Sequence, residues 1–479
     1  MKKLFAVVLS VLFMAAVAVP ALATDARQIA LGGVGNYIED DFNIFTWYGT
    51  LPSYSNTVWI GLDYYDYYNY LGAPAAIGPD EGFQPYMGAS YGLGSEGKYG
   101  TLAMFFNYDG KPLNPGYGWD YTDDPFSQSV GSKWNVLYGY AMEKLSFGLY
   151  FSRSDASWEY KTHTTFSVDP DTTVLEEGMD SRAYTTIGAG VRFDIGEKMY
   201  ADLAFDYSWA GQTSKDESYY YDYYYGYGEV TADANKMMGF RGRLFYEWNE
   251  TITWVPYASF SNFNFSLKAD SMRVYDRAFS TDTLDWKDTN YGVKGTMITL
   301  GIGANIKVNE NNLLVFAVEP YSYAKLEQSD PPAADFVRYD RGYPYYEYDS
   351  WSWGITEEAT QTILPTFRLA LESDVRDWLT FRIGAVKGFY KNEYKESYTS
   401  QYGTVGVPEV ALTEEYEETE TSVGSYFDYW MGLGFHVGDF DIDAVVNNNL
   451  PFRVGYWLTG YQNNNDGPPV YMLSAAYHF

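Results

Sequence analysis

Two short segments carry opposite charges at matched spacing. KMYADLAFDYSW, residues 198–209, holds Asp202 and Asp206, and MGFRGRLFYEW, residues 238–248, holds Arg241, Arg243 and Glu247. Side chains alternate across a β-strand, so in each segment the charges share one face while most of the bulky apolar groups share the other. The same parity adds Arg192 and Asp194, Glu319, Arg368, Arg382, and Asp441 and Asp443 to the charged face. Facing water, such groups attract and order ions and polar solutes. Facing each other on neighbouring strands, Asp202 and Asp206 pair with Arg241 and Arg243, brace the sheet and select nothing.

Other chemistry finds little to work with. The chain has no cysteine and three histidines, His163, His436 and His478, none at a metal-ligand spacing. No serine or carboxylate is evidently matched across strands to any of these histidines, as a hydrolase would need. Neither a G-x-G-x-x-G nor a P-loop pattern occurs in context. No catalytic residue, metal ligand or cofactor is therefore expected. The runs SKDESYYYDYYYGYGEV, RYDRGYPYYEYDSW and LTEEYEETE are acidic and rich in tyrosine. None has calcium-loop spacing, and they are expected to form a negative outer vestibule.

Period-two alternation recurs in AGVRFD, TMITLGIGANIK, TILPTFRLAL, LTFRIGA and FDIDAVV. Short turns at Gly94 to Lys98, Glu143-Lys144, Gly196 to Lys198, Asn249-Glu250, Asn309 to Asn312, Asp374 to Asp377 and Gly438-Asp439 alternate strictly with long connections. The long ones are Tyr65 to Gly82, Gly110 to Gly131, Asp155 to Ser181, Gly211 to Asn235, Ala269 to Tyr291, Glu327 to Glu358, Asn392 to Ser422 and Asn448 to Pro469. The pattern predicts about sixteen antiparallel strands, with both chain ends on the short-turn side.

The amino-terminal MKKLFAVVLSVLFMAAVAVPALA reads as a cleaved secretory signal, two lysines followed by an apolar run and a small-x-small site. Removing residues 1–23 takes the formal charge from −31 to −33, which excludes nucleic acid as a natural partner. No later apolar run is long enough for a helical span. Yet 50 Tyr, 29 Phe and 14 Trp make an aromatic content of 19%, and rings with a polar tip suit a membrane interface. A closed barrel is the remaining structure that satisfies its backbone inside a bilayer. The fold class expected is all-β, a transmembrane antiparallel β-barrel over 56–479 behind an amino-terminal segment, 24–55, placed as a plug or a periplasmic extension.

The last ten residues, VYMLSAAYHF, put Tyr471, Leu473, Ala475, Tyr477 and Phe479 on one face and end on a bare phenylalanine. This resembles the closing strand of bacterial outer-membrane β-barrels, which implies outer-membrane lipid and the barrel-assembly machinery as partners and Tyr471, Leu473, Tyr477 and Phe479 as the assembly signal. A second resemblance covers Ala26 to Leu51, ARQIALGGVGNYIEDDFNIFTWYGTL. Gly32-Gly33, Asp40-Asp41 and Phe45 to Trp47 are similar in order to the mature start of the long-chain fatty-acid transporter family. The Asn-Pro-Ala element of that family is replaced here by Tyr48-Gly49-Thr50, and the family tends towards fourteen strands. The resemblance implies that Gly32, Gly33, Asp40, Asp41 and Trp47 belong to a plug.

The leading expectation is a porin-like channel for ions or small polar solutes, favouring cations. The resemblance to general porins implies a homotrimer and an acidic constriction loop, for which Asp155 to Ser181, with Asp169, Asp171, Glu176, Glu177 and Asp180, is the candidate, the other reading of the same residues being a solvated external loop. The alternatives are a plugged barrel for hydrophobic ligands and a non-conducting barrel whose loops bind partners.

Overall fold

The computed structural model describes residues 25–65, 82–106, 132–166, 169–220, 224–232, 235–277, 280–330, 336–340, 348–405, 412–446 and 470–479. The signal-sequence reading falls outside these residues. The first strands are β1 (Thr57–Tyr65), β2 (Gly82–Gly92), β3 (Thr101–Phe106), β4 (Ser132–Ala141), β5 (Leu145–Phe166) and β6 (Asp169–Gly196). They are followed by β7 (Met199–Tyr220), β8 (Tyr224–Ala232), β9 (Asn235–Glu247), β10 (Ile252–Arg277), β11 (Ser280–Asn309) and β12 (Asn312–Asp330). The last are β13 (Phe336–Asp340), β14 (Tyr348–Arg376), β15 (Leu379–Val405), β16 (Leu412–Val437), β17 (Phe440–Val446) and β18 (Val470–His478).

All eighteen segments lie in one sheet, which closes where β18 pairs antiparallel with β1, from Thr57 opposite His478 to Asp63 opposite Met472. Two segments share lanes with others. The upper part of β7 pairs with β8 and the lower part with β9, and β13 lies above β12 against β11 in the same way. The ring therefore has sixteen lanes. Alternation shows directly in β3, where Thr101, Ala103 and Phe105 are buried and Leu102, Met104 and Phe106 are exposed. Closure leaves no free edge around the belt, which is what permits strands to cross a bilayer.

Several connections expected to be loops continue as strand. Asp155 to Ser181 is a paired hairpin wall, running from Asp155 opposite Ala183 to Thr165 opposite Thr173, and its described backbone does not fold inward as a constriction. The tyrosine-rich run after Ser214 forms the end of β7 and most of β8, and LTEEYEETE opens β16. Tyrosine and threonine favour the pleated conformation, so once a hairpin is in register these polar residues extend it beyond the ~9–11 residues a crossing needs.

Candidate functional site

A sixteen-strand barrel is too wide for its own side chains to fill. Here the amino-terminal segment enters it. A short helix, α1 (Asp25–Ala30), is followed by two 3-10 turns, Asp41–Phe45 and Tyr48–Tyr54. Leu31, Val34, Tyr37, Ile38, Ile44, Trp47, Tyr48 and Leu51 are all at most 2% exposed. They pack against inward side chains of the wall such as Trp59, Phe105, Leu137, Val255 and Val315.

Local chemistry explains the path of the segment. Gly32 and Gly33 both have φ +69°, the left-handed conformation that ends a helix and that a side chain resists. Their N–H groups donate to the carbonyls of Ile29 and Gln28, closing the helix end. The Asp40 carboxylate caps the first 3-10 turn by accepting from the Phe42 N–H at 2.9 Å. Asp41 accepts from the Trp59 indole N–H on β1 at 2.6 Å, which ties this turn to the wall.

The segment makes little regular structure, and several of its carbonyls are satisfied from the wall instead. Arg243 donates to Gly35 O and Ile38 O, each at 3.0 Å, Arg241 to Thr46 O at 2.8 Å, and Arg368 to Gly32 O at 3.0 Å. Asn305 donates to Tyr37 O and Ser146 to Gly49 O, both at 2.7 Å. Glycines on the wall allow the approach. A Cβ on Gly384 would lie 2.1 Å from the Leu31 carbonyl carbon and 2.2 Å from Gly32 N. These are backbone atoms, so Gly384→Ala is expected to unseat the segment at about 1–3 kcal/mol, the usual penalty of overpacking. The chain lacks cysteine, so labelling an added Ile44→Cys thiol reads the seating directly; it should be slow alone and at least about fivefold faster beside Gly384→Ala.

The expected charged residues fall into distinct groups. Arg243 and Arg192 both hold Asp202, at 2.8 and 2.7 Å, and Arg192 also reaches Glu39 of the segment at 2.8 Å. Arg241 pairs with Asp206 at 2.5 Å, and the Tyr48 hydroxyl donates to the same carboxylate. Arg368 pairs with Glu319 at 3.0 Å, and the Tyr37 hydroxyl donates to Glu319 at 3.1 Å. Arg382 bridges Glu372 and Asp443, and Arg27 of the segment joins Glu372 to Asp40 at 2.6 and 3.1 Å. Arg243 also stacks on Trp47, its guanidinium carbon 4.6 Å from the ring centroid. Asp194 and Glu247 stand apart, exposed beside the short turns.

Of the segment's own partners, Tyr48 figures in the sequence only within the Tyr48-Gly49-Thr50 replacement, and Arg27, Tyr37, Glu39 and the wall's Glu372 carry no motif. Glu372 shares the inward parity of Arg368 and stands just beyond TILPTFRLAL, so extending that alternation finds it. The histidine reading also needs correcting. His436 and Asp441 stand directly opposite across the Gly438-Asp439 turn, 2.7 Å apart, and His478 lies 3.3 Å from the same carboxylate. His436 Nε2 is 2.9 Å from the Thr380 hydroxyl, which outlines a threonine, histidine and aspartate array. That hydroxyl donates to Asp374 at 2.5 Å and Thr380 is 1% exposed, so this arrangement fastens strands and offers no accessible nucleophile.

Burial pushes the carboxyls of both Asp40 and Asp41 upward. Arg27 opposes the rise at Asp40, whereas the Asp40 charge adds to it at Asp41, which goes well above the usual carboxylate range. A carboxyl raised on folding stabilises the seated state fully below its unfolded value of ~3.9 and loses that contribution as pH rises. Seating should therefore weaken from about pH 4 upward. Asp41→Asn, which keeps an acceptor for Trp59, should flatten that slope and hold or raise the urea midpoint at pH 7.5.

No protein-family model matches the sequence, and no curated protein matches it. Among solved structures, the toluene transporter TodX of Pseudomonas putida is 11% identical with a TM-score of 0.33, over 85% of this chain and 98% of that one. The ferric-catecholate import receptor Fiu of E. coli is 7% identical with a TM-score of 0.34, over 89% and 82% of the two chains. The outer membrane protease OmpT of Escherichia coli is 12% identical with a TM-score of 0.23, over 60% and 97%. Those proteins are described as carrying toluene, importing a ferric catecholate and cleaving protein.

Proposed function

We propose that the chain is a plugged outer-membrane transport barrel for hydrophobic ligands, with Asp25–Tyr54 as the plug. The observation that carries this reading is the filled lumen: wall guanidiniums expected to face water instead hold Asp25–Tyr54 through its carbonyls and carboxylates. That counts against a continuous wet passage through this part of the barrel. The ligand class follows from the resemblance of residues 26–51 to the fatty-acid transporter family, whose Gly pair and Asp pair here shape and anchor the segment. The last strand's outward Leu473, Tyr477 and Phe479 are proposed as the stretch read by the barrel-assembly machinery.

The test has two arms. In a planar bilayer under a KCl gradient, the intact mature barrel should show no steady conductance. A polarity-sensitive fluorescent fatty acid should bind it saturably. Steady current from the intact barrel, or the absence of saturable binding, would sink this reading.

A further inference from the structure

Six strands, β5, β6, β7, β9, β10 and β11, contribute to a recess of about 720 Å³ on the barrel's outer surface. Its outward side chains include Leu149, Leu203, Phe240 and Phe260, all exposed, around a floor kept low by Gly242 and Ala258. On these strands the inward neighbours Asp202, Asp206, Arg241 and Arg243 are buried, so the recess lies wholly on the lipid side of the wall. It is continuous with the apolar belt that the bilayer covers.

A charged group stands above it. Lys236 lies on the same face of β9 as Phe240 and Gly242, towards the long connections, six residues or ~20 Å from Gly242. It is exposed and makes no ion pair among the described residues. Its cross-strand neighbours are Trp209 on β7 and Asn264 on β10. The nearby outward Lys294 is already tied to Glu327 at 2.5 Å. Tryptophan and lysine at one level mark the interfacial zone, where a lysine ammonium meets lipid headgroups.

We propose that the recess and Lys236 together hold one anionic membrane phospholipid. An acyl chain lies over Gly242 and Ala258 between Leu203, Phe240 and Phe260, and the phosphate rests on Lys236 with Asn264 and Trp209 beside it. The separation of charge and recess matches an extended chain below a headgroup. The recess gives retention and the lysine gives selection for negative charge. This site faces away from the plug, so it stands or falls independently of the transport reading.

The experiment is native mass spectrometry of the full mature barrel, reconstituted in equal phosphatidylglycerol and phosphatidylcholine and then washed in mild detergent. One phosphatidylglycerol per barrel should survive, preferred over phosphatidylcholine by about fivefold, the factor one lysine supplies near a membrane surface. Lys236→Gln should keep a lipid but lose the preference. Gly242→Leu and Ala258→Leu should lose the lipid and still run as folded, heat-modifiable barrels. Folding is expected to survive because a Cβ at Gly242 crowds the flexible end of Leu203, at 2.9 Å, and meets the Asp202 carbonyl oxygen at an ordinary 3.8 Å. Loss of both lipids from the unaltered barrel, retention unchanged in the recess variants, or a lipid-free dimer filling the recess with a second copy would each overturn the proposal.

Discussion

Deleting Ala26 to Leu51 should turn a silent barrel into one that conducts steadily. The wall can survive the loss because its charges already pair among themselves. Arg192 and Arg243 hold Asp202, Arg241 holds Asp206, Arg368 holds Glu319, and Arg382 holds Glu372 and Asp443. Removing the segment returns these pairs to water, which lowers their desolvation cost and leaves none without a counter-charge. The ring closure from β18 to β1 does not pass through the segment, so the barrel still seals. The opened lumen would be lined by mixed charge, and the reversal potential should be small. Single-channel recording beside a heat-modifiability assay distinguishes an opened barrel from a misfolded one. Silence from a correctly folded deletion would mean that something else closes the passage.

The second large effect is expected at Arg243. Its guanidinium is buried, pairs with Asp202, donates to the carbonyls of Gly35 and Ile38, and stacks on Trp47 and Phe245. Among the described residues it is the wall side chain that joins the most parts of the segment. Arg243→Ala strands buried carbonyls and leaves Asp202 with Arg192 alone, a loss of about 3–5 kcal/mol in seating. Arg243→Lys should recover only part of it, since an ammonium cannot reproduce the planar fork or stack as a guanidinium does. Urea-dependent exposure of the single Ile44→Cys thiol measures the shift. A double-mutant cycle with Asp202→Asn separates the ion pair from the carbonyl contacts. A midpoint within about 0.5 kcal/mol of the unaltered protein would show that the segment is held by packing alone.

Much of the wall was legible in the sequence. Strict alternation between short turns and long connections gave the sixteen lanes, because a hairpin turn fixes the register and period two then fixes the faces. That same logic put Asp202, Asp206, Arg241, Arg243 and Arg382 on one face, and all are buried on the inside. His436 and Asp441 also follow from the register rule around Gly438-Asp439, which sets them opposite each other although no metal or hydrolase spacing links them. The extended wall above β5 and β6 is not legible in this way, because polar, acidic residues resemble loops by composition and only hairpin register keeps them in strand.

By itself the sequence determined the barrel, its closure and the sign and face of its charges, since these follow from local periodicity and turn spacing. Only the tertiary structure decided what those charges meet. Arg243 lies 205 residues beyond Ile38, and Arg368 lies 336 beyond Gly32. No local rule links such positions. Whether a lumen holds water or backbone depends on the barrel's width, on wall glycines such as Gly384 that admit a chain, and on carbonyls that find donors only once the ring has closed.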